Sequence, residues 1–147
     1  MSDSTIALLL VAFLFGSGLT IQIFVLPRLA ARVTDRSAVT RVSHEVLKGH
    51  HTLAIFLLPA AAVFLFLAHQ TVAAVLIVLL LGLNLYQRLW IFTKIHVVKQ
   101  PIGVQDLIQP DNTLREEFNR LQFQLFLLFR IHLLLLLIDL LWMAILE

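Results

Sequence analysis

Long apolar runs separated by short polar segments make up the hydrophobic pattern of this chain. Four runs are long enough to cross a bilayer, because a transmembrane helix needs about 20 apolar residues. They cover residues 6–26, 49–68, 72–94 and 121–146, here numbered spans 1 to 4. The pattern predicts an all-α polytopic membrane protein, in which one domain, residues 1–147, forms an antiparallel bundle of four transmembrane helices.

The connections and small residues of the spans support a compact bundle. Only residues 69–71 separate span 2 from span 3. A connection this short places two helices side by side, so these spans are predicted to form a tight antiparallel hairpin. In span 1, Ala12, Gly16 and Thr20 recur at every fourth position. Such spacing lets another helix approach closely, either within the bundle or from a second copy of the chain.

The composition agrees with a membrane protein and excludes several classes of function. Hydrophobic residues make up 60% of the chain and charged residues 14%, against about 45–50% and 25% in soluble proteins. The mean hydropathy is +0.94. The absence of cysteine excludes disulfides, thiolate metal sites and cysteine nucleophiles. No nucleic-acid partner is expected, because the basic residues lie where a lipid bilayer would place them.

Basic residues are confined to one side of the four spans. By the positive-inside rule the connections that they flank are cytoplasmic, so both termini are predicted to lie outside. The expected location is a bacterial inner (cytoplasmic) membrane. The first connection is flanked by Arg28, Arg32, Arg36, Arg41 and Lys48, and the third by Arg88, Lys94, Lys99, Arg115 and Arg120.

Arg130 lies near the middle of span 4, where a charged side chain costs roughly 3–10 kcal/mol unless a polar group meets it. Counting along the helices puts Asn84 of span 3, and Ser17 and Thr20 of span 1, at a similar depth. Asp139 is expected near the outer edge. No acidic side chain is therefore predicted at the depth of Arg130.

Span 4 has two polar faces. Helical spacing puts His132 and Arg130 on different sides of the helix. A helix with two polar faces is expected to have neighbours on more than one side. The stripe of His132 also contains Leu125, Phe129, Leu136 and Asp139.

Because Arg130 has no carboxylate at its depth, we expect either a bound ligand or a structural hydrogen-bond network around it. The ligand could be a haem propionate, a lipid phosphate or a quinone. A bound anion would offset the cost of burying the guanidinium group of Arg130. Alternatively, the polar groups bond one another and hold the spans together, or Arg130 reaches toward the headgroups. Asn84, Gln87 and Arg88 are spaced i, i+3, i+4 and so share one face of span 3. The predicted site comprises Arg130, His132, Asn84, Gln87 and Arg88.

The histidines indicate two further kinds of site. His132 is a candidate ligand of haem b, or a hydrogen-bonded structural residue. His50, His51 and His96 are predicted at the cytoplasmic edge, about two turns from the depth of His132, so joint ligation with His132 is not expected. Together with His44, these edge histidines are candidates for a divalent metal site, although their spacing matches no established motif.

Three segments of the chain resemble a family of small membrane proteins. They are GSGLTIQIFVLPRLAARV at the end of span 1, the short hairpin connection, and FRIH in span 4. They are similar to the four-span proteins of unknown function that include the transmembrane protein linked to cisplatin resistance in animals. This resemblance covers nearly the whole chain and implies a four-helix bundle.

The exit from span 1, residues 26–29, more distantly resembles the four-helix membrane protoporphyrinogen oxidase family, whose members bind haem b. That family carries its haem histidine in the first span. The corresponding position is near Ala12 here, and span 1 contains no histidine. The Asn-Glu-x-Pro pattern of that family's last span is also missing. The resemblance implies a similar bundle, with haem b as the cofactor to test for.

These observations lead to two hypotheses about function. The first is a non-enzymatic bundle that binds a lipid or cofactor near Arg130, or that assembles as a homo-oligomer or as a subunit of a larger membrane complex. The second is a haem- or quinone-dependent redox enzyme or electron carrier. A transporter matches the pattern less well, because no carboxylate is predicted at mid-membrane depth for a proton relay.

Overall fold

The computed structural model describes residues 2–105 and 112–146, and these consist of helices and short connections. Four helices are each long and apolar enough to cross a membrane, which confirms the predicted all-helical class with four spans. We number them α1 to α4. They comprise residues 3–32, Arg36–Leu67, residues 71–105 and Asn112–Leu146.

Two of the four helices, α1 and α3, each contain a π-helical turn between two α-helical segments. A π turn inserts one residue into the α-helical hydrogen-bond ladder and is often found next to functional sites. The α-helical, π-helical and α-helical segments are Asp3–Thr20, Ile21–Val25 and Leu26–Arg32 in α1, and Thr71–Tyr86, Gln87–Ile91 and Phe92–Gln105 in α3.

The helices extend beyond the predicted spans on the side where the basic residues collect. α2 begins at Arg36 and α4 at Asn112, in agreement with the sequence, which predicts a helical extension before span 2 and a start of the last helix at Thr113. The sequence also predicts that the third helix stops at Pro101, and this is wrong, because α3 continues to Gln105. The flanking segments retain apolar residues at helical spacing, so the helices continue where hydropathy falls. The rest of the predicted third connection, residues 106–111, lies outside the described residues, as do both terminal residues.

A short turn joins α2 to α3. His69 adopts a left-handed conformation with φ 59°, and the backbone N–H of Gln70 donates to the carbonyl of Leu65 at 2.9 Å. The two helices then pack closely against each other. The short connection predicted between spans 2 and 3 is therefore present.

Among the described residues, the closest packing runs around the bundle. α1 contacts α2 and α4, and α3 contacts the same two helices. The outer surface is strongly apolar: Phe56 is 71% exposed and Ile145 80%. Apolar side chains on the outside of a helical bundle are what a lipid environment requires. Small residues fill much of the interior, among them Ala7, Ala61, Ala62, Ala73 and Ala74.

The small-residue stripe of α1 lies on the outer surface of the bundle. Ala12, Gly16 and Thr20 are exposed, and a Cβ added to Gly16 would meet no described atom within 4 Å. The prediction that this stripe makes a contact within the bundle is therefore wrong, and a contact with a second copy stays a prediction. The close approach in α1 occurs at Gly18, which is buried.

Candidate functional site

Three histidines from two helices meet in the interior of the bundle. His50 and His51 are adjacent on α2 and His132 lies on α4; they are 4%, 0% and 0% exposed. The ring centroids of His50 and His51 are 6.0 Å apart, and each is 6.2 Å from that of His132. We call these three residues the histidine cluster.

Asn84 of α3 fixes the tautomer of His51. Its amide nitrogen Nδ2 donates to the backbone carbonyl of His51 at 2.9 Å, which identifies the other amide atom as the oxygen. That oxygen, Oδ1, is hydrogen-bonded to Nδ1 of His51. Because a carbonyl oxygen only accepts, Nδ1 carries the hydrogen and donates it to Asn84. The free lone pair of the His51 ring is therefore on Nε2.

Ser17 of α1 has the same effect on His50. Its hydroxyl group donates to the carbonyl of Leu14 at 2.9 Å. The serine oxygen is thus left as an acceptor for Nδ1 of His50, which lies 3.3 Å away. Nδ1 therefore carries the hydrogen, and the lone pair of the His50 ring is also on Nε2.

The walls of the histidine cluster are apolar and closely packed. Phe129 is fully buried, and its ring contacts those of His50 and His51 edge-on, with centroid distances of 5.3 and 5.8 Å. A Cβ added to Gly18 would overlap Cδ2 of Leu133 and lie 3.1 Å from Cε1 of His50. A side chain at Gly18 would displace Leu133 or His50, so glycine lets α1 pack closely against the cluster and α4.

Several polar atoms of the histidine cluster and of Gln87 are buried without a hydrogen-bond partner among the described residues. They include Nε2 of His50, Nε2 of His51, both ring nitrogens of His132 and both amide atoms of Gln87. A buried polar atom without a partner costs about 1–3 kcal/mol, and such atoms are uncommon in folded proteins. Four of these atoms belong to the three rings of the histidine cluster, which makes the cluster a candidate binding site.

The tautomers of His50 and His51 determine which ligands the histidine cluster can bind. Both Nε2 atoms present lone pairs, so they can coordinate an electron-pair acceptor or accept a hydrogen bond. A transition-metal ion meets this requirement, and imidazole is a ligand of zinc, copper, iron and nickel. An anion or a carbonyl oxygen does not bind to these two atoms, because it would face their lone pairs. The donors open to such a ligand are the one N–H of a neutral His132 ring and the amide nitrogen of Gln87.

The three rings stand farther apart than they would around one bound ion. No group of three or more His, Asp or Glu side chains in the described part of the chain is positioned to hold a metal ion as it stands. Metal–nitrogen bonds of about 2.0–2.1 Å would bring the ring centroids to roughly 5–5.5 Å from one another. Binding by all three therefore requires each pair to close by up to about 1 Å. His132 is the ring that no hydrogen bond within the described residues holds in place.

Arg130, the centre of the site predicted from sequence, is exposed on the outside of α4. The prediction that it belongs to an interior site is therefore wrong. It assumed that both polar faces of span 4 contact other helices, whereas the structure buries only one. The buried stripe is the predicted one and contains Leu125, Phe129, His132, Leu136 and Asp139.

The predicted depths of the histidines are also wrong. His50 and His51 lie beside His132 rather than two turns away from it. The error arose from counting depth from the first apolar residue of span 2, whereas α2 begins earlier and its position is set by packing. His96 is exposed on α3 and is not part of the cluster. Counting from the α2–α3 turn instead places His51 and Asn84 within about one helical turn of each other.

The predicted residues of α3 occupy two different environments. Asn84 and Gln87 are fully buried, and Asn84 contacts the histidine cluster. Asn84 bonds to His51 rather than to Gln87 or Arg130, which the structural alternative had paired with it. Arg88 is half-buried and lines a cavity at the basic end of the bundle.

A second buried polar group lies farther along α4. Asp139 is 0% exposed, and neither of its carboxyl oxygens has a hydrogen-bond partner among the residues that the structure describes. It follows His132 by about two helical turns on the same stripe, or roughly 10 Å along the axis. Asp139 is therefore separate from the histidine cluster.

Comparison with protein-family models, with curated proteins and with solved structures found no match. The family resemblances noted in the sequence therefore stay predictions. The chemistry of the histidine cluster, and of the residues that orient it, is the basis for the function proposed for this chain.

Proposed function

We propose that this protein binds a transition-metal ion inside the membrane, with His50, His51 and His132 as ligands. The observation that carries the proposal is the pair of fixed tautomers. Asn84 and Ser17 each accept a hydrogen bond from Nδ1, so each of these two adjacent histidines keeps its lone pair on Nε2. Hydrogen bonds that orient ligating histidines in this way recur around metal ions in proteins.

The class of ion follows from the ligands. An all-imidazole set suits zinc, copper, nickel and iron, and it is a poor match for calcium or magnesium, which prefer oxygen ligands. Thiolate ligands are excluded because the chain has no cysteine. The role that we propose is binding of the ion by a non-enzymatic bundle.

Haem b is the second candidate. The 6.2 Å between His132 and either histidine of α2 is close to the roughly 6.3 Å expected between two imidazole rings on opposite sides of one iron. A porphyrin between these rings would have to displace Phe129, which contacts both histidines of α2. A metal ion requires a smaller rearrangement. A quinone is a weaker match, since its carbonyl oxygens need hydrogen-bond donors and Nε2 of His50 and Nε2 of His51 supply none.

The topology that we propose follows from the sequence. The distribution of basic residues supports an antiparallel bundle with both termini outside and the basic connections in the cytoplasm of a bacterial cell. We also propose from the sequence that the chain assembles with further copies or within a larger membrane complex. Membership of the family that includes the protein linked to cisplatin resistance is a proposal on the same grounds.

The proposal is tested by metal binding to the full-length protein in detergent, after chelation has removed any bound metal. Titration with Co²⁺, followed by visible absorption, reports imidazole coordination, and elemental analysis after loading with Zn²⁺ gives the stoichiometry. We expect about one ion per chain and, in His132→Ala, an affinity at least about a hundredfold weaker.

Two variants serve as controls. His69→Ala removes an exposed histidine at the α2–α3 turn, and Arg130→Gln removes the exposed cation of α4. Both should bind within about twofold of the wild type, because surface changes away from a site have small effects. Absence of binding by the wild type, or an equal loss in His69→Ala, would contradict the proposal. A Soret band that disappears in His132→Ala would instead establish the haem candidate.

A further inference from the structure

A cavity of about 320 Å³ opens between α2 and α3 at the basic end of the bundle. This volume falls within the range of about 300–1,000 Å³ that is usual for ligand sites in proteins. The buried side chains of His44 and Phe92, whose ring centroids are 6.3 Å apart, form part of its lining. The cavity thus has an apolar portion below a charged rim.

The charge around the cavity is strongly one-sided. Arg41 and Lys48 line it from α2, and Arg88 and Lys99 line it from α3. Among the described residues that line it, Glu45 is the one carboxylate, and it lies 4.0 Å from Lys48. Arg41, Arg88 and Lys99 form no ion pair within the described residues. The cavity is therefore suited to an anion.

Aromatic residues beside the cavity indicate its level in the membrane. Tyr86 and Trp90 stack on the exposed side of α3 with ring centroids 6.5 Å apart. Nζ of Lys94 lies 4.5 Å from the Trp90 ring. Tyr and Trp in transmembrane helices concentrate at the level of the lipid headgroups. Arg88, between the two aromatic residues in sequence, belongs to this level.

We propose that this cavity binds the phosphate group of an anionic phospholipid. Arg41 and Arg88, from different helices, supply planar guanidinium donors that match phosphate oxygens. Basic pockets between transmembrane helices bind anionic headgroups in this way. The positive-inside rule accounts for the sign of the charge, but it does not account for four cations around one cavity. The proposal is independent of metal binding at the histidine cluster.

The experiment compares two double variants of the full-length protein, each of which removes two positive charges from the basic side. Arg41→Gln/Arg88→Gln changes the cavity, and Arg32→Gln/Arg120→Gln changes exposed residues outside its lining. Each protein is reconstituted with phosphatidylcholine containing a minor fraction of phosphatidylglycerol, and the retained lipid is counted by native mass spectrometry. We expect affinity for phosphatidylglycerol to fall at least about tenfold in the cavity variant and less than about twofold in the control.

Several outcomes would overturn the proposal. An equal loss in the control would show that general surface charge attracts the lipid. Displacement of phosphatidylglycerol from the wild type by inorganic phosphate would assign the site to a free phosphate ion instead.

If the cavity variant does not fold, as judged by circular dichroism, Lys48→Gln/Lys99→Gln takes its place with the same expectation. Zn²⁺ binding by the same samples should be unchanged, which separates a failure here from a failure of the metal site.

Discussion

The bundle contains two buried polar regions that are organised differently. In the histidine cluster, two of the three rings are held by hydrogen bonds from other helices, through Asn84 of α3 and Ser17 of α1. At Asp139, farther along α4, both carboxyl oxygens lack a partner within residues 2–105 and 112–146. Burying polar atoms is unfavourable in both regions, but only in the histidine cluster do neighbouring side chains orient those atoms.

This difference separates a prepared site from a single buried polar group. In the histidine cluster the supporting hydrogen bonds leave Nε2 of His50 and Nε2 of His51 available, and this is the feature on which the proposed metal binding rests. At Asp139 no described group fixes the carboxyl. Polar atoms without partners therefore do not identify a site by themselves; the hydrogen bonds around them do.

Of the substitutions that test the difference between the two regions, Asn84→Leu should have the largest effect on stability and on metal affinity. This one change removes both hydrogen bonds between Asn84 and His51. We expect the free energy of unfolding to fall by about 3 kcal/mol. The affinity for Co²⁺ should fall by about 10–100-fold, as it does when groups that orient metal ligands are removed. Denaturation by SDS in mixed micelles, followed by circular dichroism, measures the first quantity, and cobalt titration measures the second.

The matched control for Asn84→Leu is Asn119→Leu, which removes an exposed amide from α4. Its free energy of unfolding should change by less than about 0.5 kcal/mol. An unchanged cobalt affinity in Asn84→Leu would show that the bond to His51 does not prepare the site.

Gly18→Ala should lower the free energy of unfolding by about 1–3 kcal/mol, because the added Cβ meets Leu133 and His50. Gly16→Ala, two positions earlier, places its Cβ in open space. It should raise the same quantity by up to about 1 kcal/mol, since alanine is the better helix former. The same denaturation experiment measures both. Stabilisation by both substitutions would mean that α1 and the cluster are less closely packed than described.

Asp139→Leu should have the smallest effect on the free energy of unfolding, and it should raise this quantity, whereas Asn84→Leu lowers it. Removing a buried carboxyl without a partner should raise the free energy of unfolding by about 1 kcal/mol. Cobalt affinity should stay within about twofold of the wild type. A loss of stability would indicate a partner for Asp139 among residues that the structure does not describe. A loss of cobalt binding would make the two polar regions parts of one site.

Much of the fold could be predicted from the sequence, because four apolar runs located the spans and helical spacing placed His132 on a buried stripe of α4. Arg130 was misplaced for a physical reason. In a membrane the outside of a helix is as apolar as the inside, so hydropathy gives depth without showing which face touches protein. The contact of His50 with His132 depends on how α2 packs relative to α4, and nothing in the local pattern reports that packing.

Asn84 binds a single residue twice, through the ring of His51 and through the carbonyl group of the same residue. The Asn84 side chain of α3 therefore bridges the imidazole ring and the main-chain carbonyl of His51 on α2. Rotation of the ring would break its bond to α3, so we expect the α2–α3 hairpin to hold His51 in place. On the proposed metal binding, His132 of α4 is then the ligand expected to move toward the ion.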